Sequence, residues 1–249
     1  MKYRVTTTAI AVIVSLFMVG TGFAGDASVG ADIMSGYVWR GITFNEGMVF
    51  QPSVDVAADK GIGINVWGNM DLDDYDGALQ DGEFSEIDLT LSYSKDVGDI
   101  NVGVGLVEYL FPHVGDTNGA ANGTREIYLS LSTGIGAGLT CTAAVSYDID
   151  EVEDYYANLG IAWECSCEGP VKCGLGASIG YVGKDFAMAY SGGTEGGLHE
   201  YSIVASISYA CCERATIGAK IAYVDALDDD VLAEQDVDFY GGVSLSLGL

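Results

Sequence analysis

The chain has 249 residues, 36 of them acidic and 10 basic, giving a formal net charge of −26; it is 49% hydrophobic, with 35 glycines and 3 prolines. Such acidity excludes nucleic acid and anionic lipid surfaces as partners, since like charges repel, and the apolar content excludes an acidic disordered polypeptide. Many glycines and few prolines suit close-packed strands within one domain.

In chain order, Met1 to Ala24 opens with Lys2 and Arg4, continues through an apolar run from Ala9 to Val19, and ends in small residues around Gly22 and Ala24. This is the layout of a secretory signal peptide. Cleavage is expected after Ala24, with Ala27 as the second choice. Residues 1–24 are therefore assigned to the leader and residues 25–249 to a single β-barrel domain. No later stretch is a continuous apolar run of the roughly 20 residues that a membrane helix requires.

The mature part alternates with period two, the pattern of strands with one apolar face. It predicts twelve strands: Val29–Gly41, Val49–Ala57, Ile62–Asp71, Glu86–Ser94, Ile100–Leu110, Arg125–Ser132, Leu139–Asp148, Tyr155–Glu164, Val171–Val182, Glu200–Tyr209, Thr216–Val224 and Asp236–Leu249. The last separates Val237, Phe239, Val243, Leu245 and Leu247 from Asp236, Asp238, Ser244 and Ser246. Strands this long suit a bilayer, where a tilted strand needs about 9 to 11 residues and every backbone polar group must be paired, which requires a closed barrel. The predicted fold is all-β, a transmembrane antiparallel up-and-down barrel of about twelve strands, in the bacterial outer membrane and surrounded by its lipid.

Connections alternate between short turns near Lys60, Asp96 to Asp99, Gly134 to Gly138, Cys165 to Pro170 and Cys211 to Ala215, and longer external loops, as expected of such barrels. The loops are placed at Thr43–Gly47, Leu72–Gln80, Pro112–Gly123, Ile149–Asp154, Gly183–Gly197 and Asp225–Gln235. Tyr37, Trp39, Tyr93, Tyr109, Tyr147, Tyr155, Tyr181, Tyr201, Tyr223 and Phe239 are expected to form an aromatic girdle at the external interface. Glu108 interrupts the apolar face of its strand, predicting a bulge or the membrane edge there.

The run Gly30-Ala-Asp-Ile-Met-Ser-Gly-Tyr-Val-Trp-Arg-Gly-Ile42, followed by Gln51-Pro52 and Asp55, resembles the opening of the TorF-type porins, bacterial outer-membrane proteins of largely undefined function. The specific part covers about the first thirty mature residues; beyond it the likeness is one of length and strand rhythm. A terminal Leu249, where outer-membrane barrels usually close on an aromatic, and six cysteines depart from the pattern. The resemblance implies the fold more than any solute.

A twelve-stranded barrel leaves on the order of 10 Å between small inward side chains. The charged residues expected to line it are Asp32, Asp55, Glu86, Asp88, Glu126, Glu164 and Asp238, against Arg40, Lys172 and Lys220. This excess of carboxylates favours passive diffusion of small solutes with a cation preference. The competing expectation is a network of paired charges filling a narrow lumen, in a closed structural or adhesive barrel. Acidic loop residues (Asp73, Asp74 and Asp76; Asp148, Asp150, Glu151, Glu153 and Asp154; Asp228, Asp229, Asp230 and Glu234) are expected to attract divalent cations, though their spacing is not that of an EF-hand.

Cys141, Cys165, Cys167, Cys173, Cys211 and Cys212 map to the periplasmic end of neighbouring strands and are disulfide candidates, with Cys141–Cys165 the favoured pair. The only histidines are His113 and His199, in or beside external loops. Neither a hydrolase nor a zinc-protease motif occurs, so no enzymatic role, cofactor or structural metal is expected.

Overall fold

The computed structural model describes residues 25–73, 82–112, 123–165, 168–233 and 235–249. The assigned leader, His113, Asp74, Asp76, Cys167 and Glu234 lie outside them. Among the described residues fourteen strands form: β1 (Gly25–Met34), β2 (Tyr37–Trp39), β3 (Ile42–Asn45), β4 (Val49–Ala58), β5 (Ile62–Asp71), β6 (Phe84–Val97), β7 (Ile100–Leu110), β8 (Gly123–Gly136), β9 (Leu139–Asp148), β10 (Tyr155–Glu164), β11 (Val171–Val182), β12 (Gly197–Cys212), β13 (Ala215–Ala226) and β14 (Phe239–Gly248).

Twelve of them, β1 and β4 to β14, pair antiparallel in sequence order and close into a barrel where β1 meets β14, Ile33 opposite Val243 and Val29 opposite Leu247. Closure removes every open sheet edge, the condition lipid imposes. Alternate side chains face outward as a solvent-accessible apolar belt that includes Leu91, Leu129, Leu159, Leu175, Ile207, Ile221 and Val243. The opposite parity carries Ser, Thr, Asn, Gly and most of the charged residues, Glu108 and Arg125 on the outer face being exceptions. Pro52, which has no N–H to give, falls where the β4–β5 pairing is interrupted between Phe50/Met70 and Ser53/Trp67, with the register kept on both sides.

The rim holding both termini carries the short turns, as the periplasmic rim of outer-membrane barrels does, and is named by that rule. Five of the predicted strands, β5, β7, β9, β10 and β11, have the bounds read from sequence. The first does not. β1 stops at Met34, and β2 and β3 form a separate hairpin between it and β4. Ser35 and Gly241 hold the departure point: the Ser35 N–H donates to the Gly241 carbonyl at 2.8 Å and the Gly241 N–H to Ser35 Oγ at 3.1 Å.

The hairpin turns into the lumen, so Tyr37 and Trp39 pack inside instead of joining the girdle. Tyr109 also points inward, and Tyr93, opposite Ile62, stands at the periplasmic end. The girdle is made by the rest. Tyr147 is paired with Tyr155, which stacks on Tyr181 at 6.2 Å, while Tyr223 contacts Tyr201 and Phe239 at 5.9 and 4.6 Å.

A second difference is a helix, α1 (Lys184–Tyr190), inside the predicted external loop Gly183–Gly197. Among the described residues no helix is long and apolar enough to cross a membrane. α1 instead covers the barrel mouth, burying Phe186 and Ala187 against Ile42, Val182, Val231 and Leu232. Three loop segments thereby build a hydrophobic core in the external half of the barrel. Thr194 N–H donates to Asp230 O at 2.8 Å, Ala233 N–H to Ser191 O at 3.0 Å, and Val237 N–H to Thr43 Oγ1 at 3.1 Å, linking them to one another.

Candidate functional site: the inward hairpin and its carboxylate wall

The tip of the β2–β3 hairpin is Arg40-Gly41, with φ of 51° and 83°. A two-residue hairpin loop with two positive φ values normally takes Asn-Gly. Arginine there costs about 1 kcal/mol or more of backbone strain. Gly41 is required twice over, by its φ and because a Cβ would strike the Glu200 side chain.

The strained turn delivers the Arg40 side chain to the barrel wall. Its Nη1 and Nη2 donate to Glu126 Oε1 and Oε2 at 2.8 and 2.6 Å, the side chains being 12% and 4% exposed. The guanidinium carbon sits 4.1 Å from the Trp39 ring centroid, 4.4 Å from Tyr156 and 5.6 Å from Phe186. Burial alone would lower the Arg40 pKa, but the hydrogen bonds and charge of Glu126 more than offset it and leave it raised.

Around this centre the wall is polar and interlocked. Tyr109 donates to Glu126 at 3.1 Å and Tyr37 to Glu86 at 2.8 Å. Burial, then the Glu86 and Asp88 charges, push the Tyr37 hydroxyl well above its usual range. Asp88 Oδ1 is buried and accepts no hydrogen bond from the described residues. Tyr156 donates to Glu200 Oε1 at 2.6 Å, and His199 Nδ1 lies 2.7 Å from Glu200 Oε2. His199 is fully buried at the start of β12, not displayed on a loop.

The expected lining residues thus divide by level. Arg40, Glu86, Asp88 and Glu126 meet in the external half. Nearer the periplasm Lys220 reaches Asp32 at 3.6 Å, Lys172 reaches Glu164 at 3.3 Å in a well-exposed pair, and Asn65 donates to Asp55 at 2.7 Å. Asp238 is exposed just before β14. Packing also differs by level. Between Trp39, Phe44, Glu86, Tyr109, Glu126 and Tyr190 only about 10 Å³ stays empty, room for at most a water. A cavity of about 380 Å³ opens at the periplasmic end among Thr140, Ala162, Glu164, Lys172, Gly174 and Ser206.

Several loop carboxylates are structural anchors. Asp148 Oδ1 accepts the backbone N–H groups of Asp150, Glu151 and Val152 at 2.9, 3.0 and 3.3 Å, and its Oδ2 accepts Thr124 Oγ1 at 2.6 Å. Asp154 accepts the Phe186 N–H at 2.9 Å, tying α1 to the β9–β10 loop. Among the described residues no group of three or more His, Cys, Asp or Glu side chains converges as metal ligands do. Of the two outcomes expected at Glu108, the bulge is absent: the β7–β8 register runs through unbroken, and Glu108, two residues from the loop end of β7, accepts a hydrogen bond from Arg125 Nη2 at 2.9 Å on the outer face.

At the periplasmic rim Cys141 is opposite Ile161, four residues short of Cys165, so the favoured pairing from sequence does not match the register. The ladder brings Cys165 and Cys173 together instead, with the Cys165 N–H donating to Cys173 O at 2.9 Å. Cys211 and Cys212 are exposed at the β12–β13 turn.

Sequence reasoning found Arg40 and the three wall carboxylates but missed Tyr37, Trp39, Tyr109, Tyr156, Phe186, His199 and Glu200. The available signal was an arginine at the end of a run assigned to lipid contact, beside a glycine.

An apolar outer belt, a polar interior and a sealed ladder define a transmembrane barrel of the outer-membrane type. Solved structures agree on the fold. The NanC porin matches with a TM-score of 0.56 at 10% identity, over 89% of this chain and 98% of that one. The KdgM porin in complex with disordered oligogalacturonate matches at 0.54 and 10%, over 89% and 98%. An outer-membrane channel from Pseudomonas putida F1 matches at 0.52 and 8%, over 92% and 98%. A comparison with curated proteins finds no sequence match. Residues 22–226 match the family described as "Bacterial protein of unknown function (Gcw_chp)", and the chain belongs to that family.

Proposed function

We propose that this barrel is an outer-membrane channel for passive passage of small solutes, with a preference for cations. The observation that carries the reading is the polar lumen, in whose external half Glu86, Asp88 and Glu126 stand on the wall with Arg40 as the counter-ion of Glu126. Two further lysines meet lumen carboxylates nearer the periplasm, at Asp32 and Glu164. A carboxylate-lined wall raises the local concentration of cations within a Debye length of about 8 Å at physiological salt. The acidic loops add to this and attract divalent cations loosely from the medium. Likeness to porin and channel barrels supports the class of function.

A second reading, a closed structural barrel, is favoured by the filled external half. Planar-bilayer recording separates the two. Discrete conductance steps, with a reversal potential in a KCl gradient displaced toward that of potassium, support a cation channel. Absence of conductance supports the closed barrel, and displacement toward chloride removes the cation preference.

A further inference from the structure

We propose that Glu126, with Tyr109, Tyr156, Glu86 and Asp88 around it, forms a binding site for planar guanidinium cations, and that Arg40 occupies it as a tethered competitor. The proposal rests on the channel reading and names the solute class for its carboxylate wall.

The wall alone has the chemistry of a guanidinium receptor. Glu126 offers both oxygens to a two-pronged donor, the geometry that distinguishes guanidinium from ammonium. Tyr156, fixed on β10, lies 4.4 Å from the guanidinium carbon and supplies an aromatic surface for a weakly hydrated cation. Glu126 is oriented by the Tyr109 hydroxyl and Tyr156 is held by Glu200, so the site is preorganised by residues of the barrel strands themselves.

The occupant belongs to a separate element from its receptor. It projects from a three- and four-residue strand pair that forms its own sheet, unjoined to the barrel ladder and held by the packing of Tyr37, Trp39 and Ile42, and its tip is a strained non-glycine residue. A two-stranded hairpin has little stability of its own, so side-chain packing and the Arg40 contacts hold it in place. The exchange leaves the charge balance of the wall unchanged: at this level Arg40 pairs with Glu126 and His199 Nδ1 lies against Glu200, while Asp88 Oδ1 is buried without a hydrogen-bond partner among the described residues. A solute guanidinium that displaces Arg40 takes over both hydrogen bonds and the Tyr156 face.

The test uses the full-length barrel in detergent, with methylguanidinium and methylammonium chloride as calorimetric probes. Arg40→Gln vacates the site. That variant is expected to bind methylguanidinium roughly tenfold more tightly than methylammonium, the value of one two-pronged charged contact. The wild-type chain should bind methylguanidinium more weakly than the variant does. Adding Glu126→Gln should erase the discrimination. Equal affinity for the two probes in folded Arg40→Gln, or discrimination that survives Glu126→Gln, overturns the proposal. If Arg40→Gln yields no folded barrel, Arg40→Lys replaces it, because lysine keeps the charge but cannot fork. The same ordering is then expected, and equal affinities overturn it. Bilayer recording of the same samples keeps the two readings apart: a barrel that binds methylguanidinium selectively but never conducts defeats the channel alone, and one that conducts without selective binding defeats the site alone.

Discussion

Arg40 and Glu126, 86 positions apart in the chain, face each other through two parallel hydrogen bonds of 2.8 and 2.6 Å. The pair joins the inward hairpin to β8 and is nearly shielded from solvent. Removing one member of such a pair leaves the other charge buried without its partner, at a cost of about 3 to 5 kcal/mol. Glu126→Gln is therefore expected to destabilise the barrel by that order, in urea unfolding followed by tryptophan fluorescence. It should also loosen the 35–48 segment, visible as new protease cleavage between β1 and β4. Unchanged stability and an uncut hairpin would show that the pair does not hold the hairpin in place.

Gly41 gives a sharper test of the hairpin because the backbone of the barrel is not involved. Its φ of 83° is strained for any residue with a Cβ, and that Cβ would meet Glu200. Gly41→Ala should cost roughly 1 to 3 kcal/mol. The loss should fall on the hairpin, with faster amide exchange at Tyr37 to Asn45 while β9 and β10 stay protected. Uniform loosening of the whole barrel would contradict this.

Most of the barrel was legible because lipid imposes a simple rule on sequence: one face apolar, one face polar, at period two. Where the rule held along most of a strand, as in β5, β9 to β11 and, but for Glu108, β7, even the bounds were readable. Between Ser35 and Asn45 the same rule misleads. Tyr37 and Trp39 continue the parity of Ala31 and Ile33 as lipid-facing residues would, yet the apolar medium they enter is the loop core inside the barrel. Alternation reports an apolar neighbour and not which one it is. α1 escaped for a different reason, since seven residues amount to two turns and its stability comes from packing Phe186 and Ala187 over the mouth. Arg40 and Glu126 were both identifiable as inward charges, but their partnership depends on a turn that reverses the chain, which no strand periodicity encodes.

The β1 ladder bears on processing. Gly25 pairs with Ala58, Asp26 with Ala57 and Ala27 with Val56. Cleavage after Ala24 keeps all three pairs, whereas cleavage after Ala27 removes them from the strand that closes the barrel. We expect Edman sequencing of protein isolated from outer membranes to begin at Gly25. A mature chain beginning at Ser28 would show that closure needs only the shorter ladder.

Cys165 and Cys173 end the β10–β11 ladder. Glu164 is paired with Gly174, so the register sets the two cysteines directly across from each other. One of the two backbone bonds such a pair can exchange is present, Cys165 N–H to Cys173 O at 2.9 Å, while the Cys173 N–H is 3.1 Å from Cys165 Sγ. The Cys165 sulfur is therefore already turned toward the partner strand. Opposed residues in an antiparallel ladder have Cα separations of about 4.5 to 5.5 Å, inside the range of roughly 4.4 to 6.8 Å that a disulfide spans. We expect these two to be joined in protein matured in an oxidising periplasm, by a thiol–disulfide exchange oxidant that takes up both electrons as the two thiol protons are released. A bond closing so short a loop stabilises by roughly 2 to 3 kcal/mol on chain-entropy grounds. Peptide mapping without reductant should recover one species linking Cys165 to Cys173, and reduction should lower the urea midpoint. Linkage of Cys141 to Cys165, or alkylation of Cys173 in the unreduced native barrel, would show that the ladder does not direct the pairing.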